Sequence, residues 1–195
     1  GIRFKQAKVQ AIDPQARVVK TDEGMLEADR LLVALGANTH MAGLESVAAA
    51  GHNVYTAAGA KAMHDLSGRA GGRAVLLVCS MPFKCPAAPY EAAMLWQHTL
   101  IFFNDTATTE IYTPEPGPMP VAGEKVSAQI VEMLVKNGIA YFPGHAVKGL
   151  DAQGRLDFGA DTAAFDHLAY VPKHSVPELL VHAGLAAAGG WVSVD

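Results

Sequence analysis

Apolar and polar positions change their period several times along this chain, and each change marks an element. Residues 6 to 35 read as β structure: AKVQAI, a turn at Asp13-Pro14, RVVKT, a turn around Glu23-Gly24, then the apolar run RLLVAL ending at Gly36. The pattern predicts a meander feeding a buried inner strand. Residues 38 to 56 form a polar and Ala/Gly-rich connection, and 57 to 67 have helical spacing before the turn Gly71-Gly72. A strand over 73 to 79, a helix over 90 to 100, a strand near 108 to 113 and a helix over 123 to 137 then alternate. That order builds a parallel sheet with right-handed crossovers.

Within the last of these helices Val126, Ile130, Val131 and Leu134 make one apolar face, and Asn137-Gly138 closes it. A short strand over 139 to 142 precedes KGLDAQGRLDF, where Gln153-Gly154 marks a hairpin turn in a β excursion. Residues 166 to 172, DHLAYVP, are expected to lead back toward the first domain. The fold class is therefore α/β, a Rossmann-like domain with a parallel sheet plus part of a flanking domain that carries the β-meander. The expected division is 1–45 for the meander part, 46–172 for the Rossmann-like domain, and 173–195 for the return.

Composition narrows the function classes. A chain of 195 residues with 50% hydrophobic and 17% charged residues can bury one good core and is not disordered. A formal charge of −4, spread without blocks, gives no electrostatic footprint for nucleic acid or for an anionic membrane face. No apolar stretch is long enough to span a bilayer. The start at Gly1-Ile2-Arg3-Phe4-Lys5, without a signal-peptide pattern, and the end at Gly190-Trp191-Val192-Ser193-Val194-Asp195, inside an apparent strand, read as an internal fragment of a longer protein.

The turn PFKCPAAPYE, residues 82 to 91, carries the most chemistry. A dinucleotide-binding βα turn needs closely spaced glycines there, because only a residue without Cβ lets the backbone approach a pyrophosphate. This turn has none and offers three prolines and a thiol instead. Cys85 lies just before a helix N-terminus, where unpaired N–H groups favour an anion, and Lys84 adds a positive neighbour. The residues alone leave two readings open: a reactive thiolate, or a small side chain in a Pro-rich turn. Glu91, in the first turn of the helix, either complements the helix dipole, which is the stronger reading, or relays protons near the thiol. Tyr90 either hydrogen-bonds at the same place or seals the helix start.

Cys79 ends an apolar strand and reads as a buried, inert thiol. Two cysteines at this spacing make neither a CxxC redox pair nor a zinc knuckle. His64, His98, His145 and His174 show no ligand spacing with acids or cysteines, so no metal site is assigned. Residues 104 to 113, NDTATTEIYT, are identical to a translated frame of a widely used sequencing-library adapter. An ordinary helix-to-strand loop is the other reading, which Asn and Asp suit. No chemistry is assigned to Asp105, Glu110 or Tyr112.

The strand, the C-P-A-A-P-Y-E run and the later TPEPGPMPVAG stretch together resemble the sulfide:quinone oxidoreductases and the flavoprotein subunit of flavocytochrome c sulfide dehydrogenase, which share the two-dinucleotide-domain fold. The resemblance implies an FAD-dependent oxidoreductase that oxidises sulfide or a related small sulfur species. Cys85 is then the redox cysteine, and a quinone or a cytochrome the electron acceptor. Ala34-Leu35-Gly36 matches the family's A-T-G motif, so Ala34 and Gly36 are expected to bring their backbone to the FAD; Leu35 in place of Thr removes one hydroxyl. The VPKH stretch ending at His174 is similar to a family V-P-P-H, with Lys173 replacing Pro.

Peripheral membrane contact is assigned to segments outside this chain, together with the second redox cysteine and the glycine-rich FAD fingerprint. NAD(P) binding is disfavoured by the missing glycines; Glu115 is the acidic residue that would meet a ribose hydroxyl. Two alternatives remain open: an NAD(P)H-dependent flavin reductase acting on a persulfide, disulfide or quinone, and a non-catalytic α/β interaction module.

Overall fold

The computed structural model describes residues 1–67, 71–103 and 107–193. The chain forms two compact units, Gly1–Thr39 with Ser175–Asp195, and His40–His174.

In the first unit β1 (Val9–Asp13), β2 (Val18–Thr21) and β3 (Gly24–Glu27) make an antiparallel meander. The Asp13 carboxylate accepts the N–H groups of Gln15 and Ala16 at 3.0 and 2.8 Å, which is the side-chain turn that Asp-Pro announces. The predicted inner strand over RLLVAL is not formed. Residues 31 to 37 have no regular structure, and Leu32 and Leu35 are exposed. An apolar run becomes an inner strand only when strands lie on both sides, and none of the described strands pairs with it. The β3 strand, which begins at the predicted Glu23-Gly24 turn, takes up the pairing with β2 instead. No strand forms over residues 190 to 193 either, and residues 194 and 195 lie outside the described residues.

The chain passes between the units at β4 (Asn38–His40) and again at β13 (Lys173–Ser175). Between them run α1 (Glu45–Ala50), β5 (His52–Asn53), α2 (Ala57–Ser67), β6 (Arg73–Val78), α3 (Ala88–Phe103), β7 (Thr108–Tyr112), α4 (Glu124–Lys136), β8 (Ile139–Phe142), β9 (Gly149–Leu150), β10 (Leu156–Asp157), β11 (Thr162–Ala163) and β12 (His167–Val171). After β13, α5 (Glu178–His182) belongs to the first unit.

The sheet of the second unit has the order β5-β12-β6-β7-β8, parallel throughout. Its register is continuous across the middle, with Leu76 opposite Ala169 on one side and Ile111 on the other. The central strand β6 is buried on both faces from Ala74 to Val78, as its unbroken apolar run requires. Its alternate residues divide the core. Val75 and Leu77 meet Leu44 and Val47 at α1, and Leu156 of the small β9–β10–β11 sheet. Ala74 meets Trp96 and Leu100 on α3, and Leu76 meets Tyr90 and Ala93 on α3 and Leu134 on α4.

One correction follows. Residues 38 to 56, read as a connection, contain β4, α1 and β5, too short for periodicity to register. DHLAYVP holds β12, which lies between β5 and β6, and the chain then passes through β13 to the first unit. The start of α2 passes so close to β5 that a Cβ on Gly59 would lie 1.9 Å from the Asn53 carbonyl oxygen. Only glycine fits there. In the adapter-like stretch, residues 104 to 106 lie outside the described residues, Asp105 among them. Residues 108 to 112 form β7, where Arg73 meets Glu110 at 3.2 Å and the Tyr112 hydroxyl donates to Glu110 at 2.8 Å. Among the described residues no helix is long and apolar enough to cross a membrane.

Candidate functional site: a thiol turn at the sheet edge

Parallel sheets gather their loops at the carboxyl ends of the strands, and ligands bind there. At that edge β6 ends at Val78, and Cys79 leads into the turn PFKCPAAPYE. Cys79 is 6% exposed and its N–H donates to the Val171 carbonyl at 3.0 Å. Burial pushes its thiol up to about 12, against the opposing charge of Lys173, so it stays protonated and inert.

Cys85 is different. Both cysteines are free, but Cys85 is exposed. Its φ is +56°, a left-handed conformation that costs a non-glycine residue about 1–3 kcal/mol and persists only where surrounding contacts impose it. Its carbonyl accepts the Ala88 N–H at 2.9 Å, and the Ala87 carbonyl accepts the N–H groups of Tyr90 and Glu91 at 3.1 and 3.0 Å. The thiol-bearing residue thus caps the approach to α3. Glu91 lies in the first turn of that helix with an exposed side chain, and its carboxylate has no hydrogen-bond or ion-pair partner among the described residues.

Around the turn stand Lys84 and His174, both named from the sequence, and Tyr55, which sequence reading left aside. The Tyr55 hydroxyl donates to the Lys84 carbonyl, and the Lys84 ammonium sits 5.4 Å from the centre of the Tyr55 ring. Burial, and then the charge of Cys85, push the Tyr55 phenol up to about 12. His174 meets the Tyr55 ring edge-on, with centroids 4.9 Å apart. Its Nδ1 lies 2.9 Å from the Pro172 carbonyl oxygen, which can only accept, so Nδ1 carries the proton and Nε2 the lone pair. Nε2 is buried without a partner. Burial lowers the pKa of His174, the charges of Lys84 and His40 lower it further, and the bond to Pro172 opposes them. No sequence period could reveal Tyr55; its signal is position alone, just after β5 at the same sheet edge.

The neighbouring turn after β7 holds Glu115, which is 1% exposed. It accepts hydrogen bonds from the Tyr90 hydroxyl, from the Thr113 hydroxyl at 3.2 Å and from the Met119 N–H. Burial raises its pKa, and the three donors oppose the rise. The Tyr141 hydroxyl is near enough to Tyr90 to influence its titration but makes no hydrogen bond of ordinary geometry. Glu115 is therefore held by hydrogen bonds within the protein rather than presented to solvent. Between the two turns is a cleft of about 50 Å³ lined by Met81, Pro82, Phe83, Pro86, Glu115, Pro120 and Val121. It is a small cleft, with room for one or two water-sized molecules.

In the first unit, Ala34 and Gly36 lie in the irregular segment after β3, both exposed. Gly36 has φ +68° and open space where a Cβ would project. Bare backbone of this kind fits the close approach of a flat cofactor.

The α/β fold expected from the sequence is found in solved structures. A FAD-dependent pyridine nucleotide-disulphide oxidoreductase from Desulfovibrio vulgaris matches 91% of this chain with 45% of its own, at 22% identity and a TM-score of 0.52. The chain shares its fold with flavin-dependent oxidoreductases of that class. The water-forming NADH oxidase of Lactobacillus brevis, solved with NADH bound, matches 89% of this chain with 38% of its own, at 14% identity and TM-score 0.56. A chain of the Tetrahymena thermophila mitochondrial ATP synthase assembly matches 98% with 52%, at 17% identity and TM-score 0.63. The chain spans about half or less of the length of these structures. No family model matches the sequence, and no curated protein does. The expectation that NAD(P) is disfavoured finds no support in these likenesses, since one of them holds NADH.

Proposed function

We propose that this chain is the central part of an FAD-dependent oxidoreductase that oxidises sulfide or a related small sulfur species at Cys85, with a quinone or a haem protein as final electron acceptor. One observation carries the reading: an exposed thiol, held in a strained conformation beside a lysine, occupies the βα turn where a nucleotide-binding domain keeps glycine. The small cleft beside the turn suits a substrate of few atoms. The resemblance of CPAAPYE and TPEPGPMPVAG to sulfide-oxidising flavoproteins supplies the substrate class.

In the proposed half-reaction a Cys85 thiolate and HS⁻ form a sulfur–sulfur bond, giving a cysteine persulfide anion, one proton and two electrons. Bound FAD supplies the two-electron acceptor for this chemistry. The backbone of Ala34 and Gly36 would lie along that cofactor. Lys84 stabilises negative charge on the sulfur, and Glu91, solvent-facing in the first turn of α3, takes the proton to water. Cys79, buried and protonated, has no part in it.

A second reading, an NAD(P)H-dependent flavin reductase, is favoured by the likeness to the NADH-bound oxidase. A third reading is a non-catalytic α/β interaction module. Anaerobic stopped-flow reduction of the full-length protein separates the three. Flavin bleaching by sulfide, lost in Cys85→Ala, supports the proposal; equal bleaching by sulfide in that variant removes Cys85 from the chemistry. Bleaching by NADH and not by sulfide establishes the second reading, and a protein purified without flavin the third.

A further inference from the structure

We propose that the gap between α2 and α3 is a binding site for a small uncharged aromatic molecule, a single ring carrying one hydrogen-bond acceptor. The site shares no lining residue with the cleft beside the thiol turn and stands apart from the reading of Cys85. Both helices cover the same part of the sheet, where Met63 of α2 and Trp96 of α3 pack on Ala74 and Ala169. Above that floor the helices present short side chains to each other, Ala60 from α2 and Ala92 from α3, and a cavity of about 220 Å³ is left between them. Leu95, 71% exposed, stands on its open side.

Volume and lining decide the class of ligand. An apolar cavity of about 150 Å³ already holds benzene, so this one has room for a ring with a short substituent. Among the described residues no Asp, Glu, Lys or Arg lines it, and a charged ligand would lose its hydration without gaining a partner. The polar requirement comes from Trp96. Its side chain lines the cavity and is 3% exposed, and its Nε1–H is buried without a hydrogen-bond partner. A buried indole N–H ordinarily meets an acceptor. Thr99, on the same wall, donates its own hydroxyl proton to the Leu95 carbonyl at 2.8 Å, so the indole is the donor left unmet there. Apolar walls ask for a ring, and the indole asks that the ring bring an oxygen.

The test titrates anisole and ethylbenzene, which match in shape and differ by an ether oxygen, into the full-length protein, read by ligand-observed NMR. Saturable binding of anisole is expected, weakened about tenfold or more by Ala60→Phe, which fills the gap from an exposed position and leaves the core intact. In Trp96→Phe the ratio of anisole to ethylbenzene affinity should fall about threefold or more, because only anisole loses a hydrogen bond. A general loosening of the site would weaken both ligands together and leave that ratio unchanged. Binding that Ala60→Phe leaves intact, or a parental ratio in Trp96→Phe, overturns the proposal. Absence of saturable binding overturns it too, and is the result expected if another stretch of the full-length chain fills the gap.

Discussion

The turn after β6 and the turn after β7 leave the same edge of one sheet, one strand apart, and treat their ionisable residue in opposite ways. Cys85 is exposed and strained at φ +56°. Glu115 is buried and held by donors from Tyr90, Thr113 and Met119. Exposure keeps a thiol open to solvent at a cost in backbone strain. Burial makes a carboxyl a structural brace between the second turn and α3, at a cost in desolvation. Two residues of similar chemical promise in the sequence therefore differ in kind, and the difference is decided by what surrounds them.

Substitutions can break the contrast. The largest effect is expected on the buried side: Tyr90→Ala removes a core side chain and a donor to Glu115, and should lower unfolding free energy by about 3–5 kcal/mol in denaturant titration. Next, Gly59→Ala forces the start of α2 away from β5 and should cost about 1–3 kcal/mol, with a matching fall in Tm.

The pH dependence of Glu115 sharpens the comparison further. Its folded pKa is raised above the ordinary 4.5, so the folded state binds the proton more tightly than the unfolded chain does. The stabilisation from that proton is complete below 4.5 and is lost as pH rises through the raised value. Glu115→Gln, which cannot ionise, should gain on the parent above pH 4.5 at up to about 1.4 kcal/mol per pH unit until that value is passed. Denaturation midpoints of both proteins across pH 4 to 8 check this, and a constant difference would refute it.

On the exposed side the stability effects should be smallest. Cys85→Gly relieves the left-handed strain and should change unfolding free energy by less than about 1 kcal/mol, in the stabilising direction, while abolishing thiol reactivity. A thiol reagent at pH 7.5 should modify Cys85 in the native protein and leave Cys79 untouched until unfolding. Modification of both at similar rates would mean that the buried strand end opens readily.

Much of the second unit was legible in the sequence because its elements are long enough to show a period. The run Ala74–Val78 is apolar without interruption and became the doubly buried strand, and Ile130 and Leu134 of the predicted apolar face pack into the core from α4. The place of β12 between β5 and β6 was not legible: DHLAYVP carries no information about which strand it lies beside, since sheet order is set by long-range pairing. RLLVAL shows the opposite failure. Its composition is that of an inner strand, but burial depends on flanking strands that composition cannot supply. At the site, the turn and Cys85 could be read from the missing glycines. Tyr55, thirty residues upstream of Cys85, could not, because its contact with Lys84 arises only where β5 and β6 end at the same edge. The inward turn of Glu115 was equally hidden, since a carboxylate in a Pro-rich loop ordinarily faces solvent.

The irregular segment after β3 has a practical consequence. Leu32 is 91% exposed and Leu35 is 41% exposed, in a stretch whose backbone groups have no ladder to join. Such a segment is a template on which another copy can lay a strand. A preparation consisting only of these residues should therefore self-associate with rising concentration through that stretch, and charged replacements at Leu32 and Leu35 should keep it dispersed while leaving the thiol turn untouched.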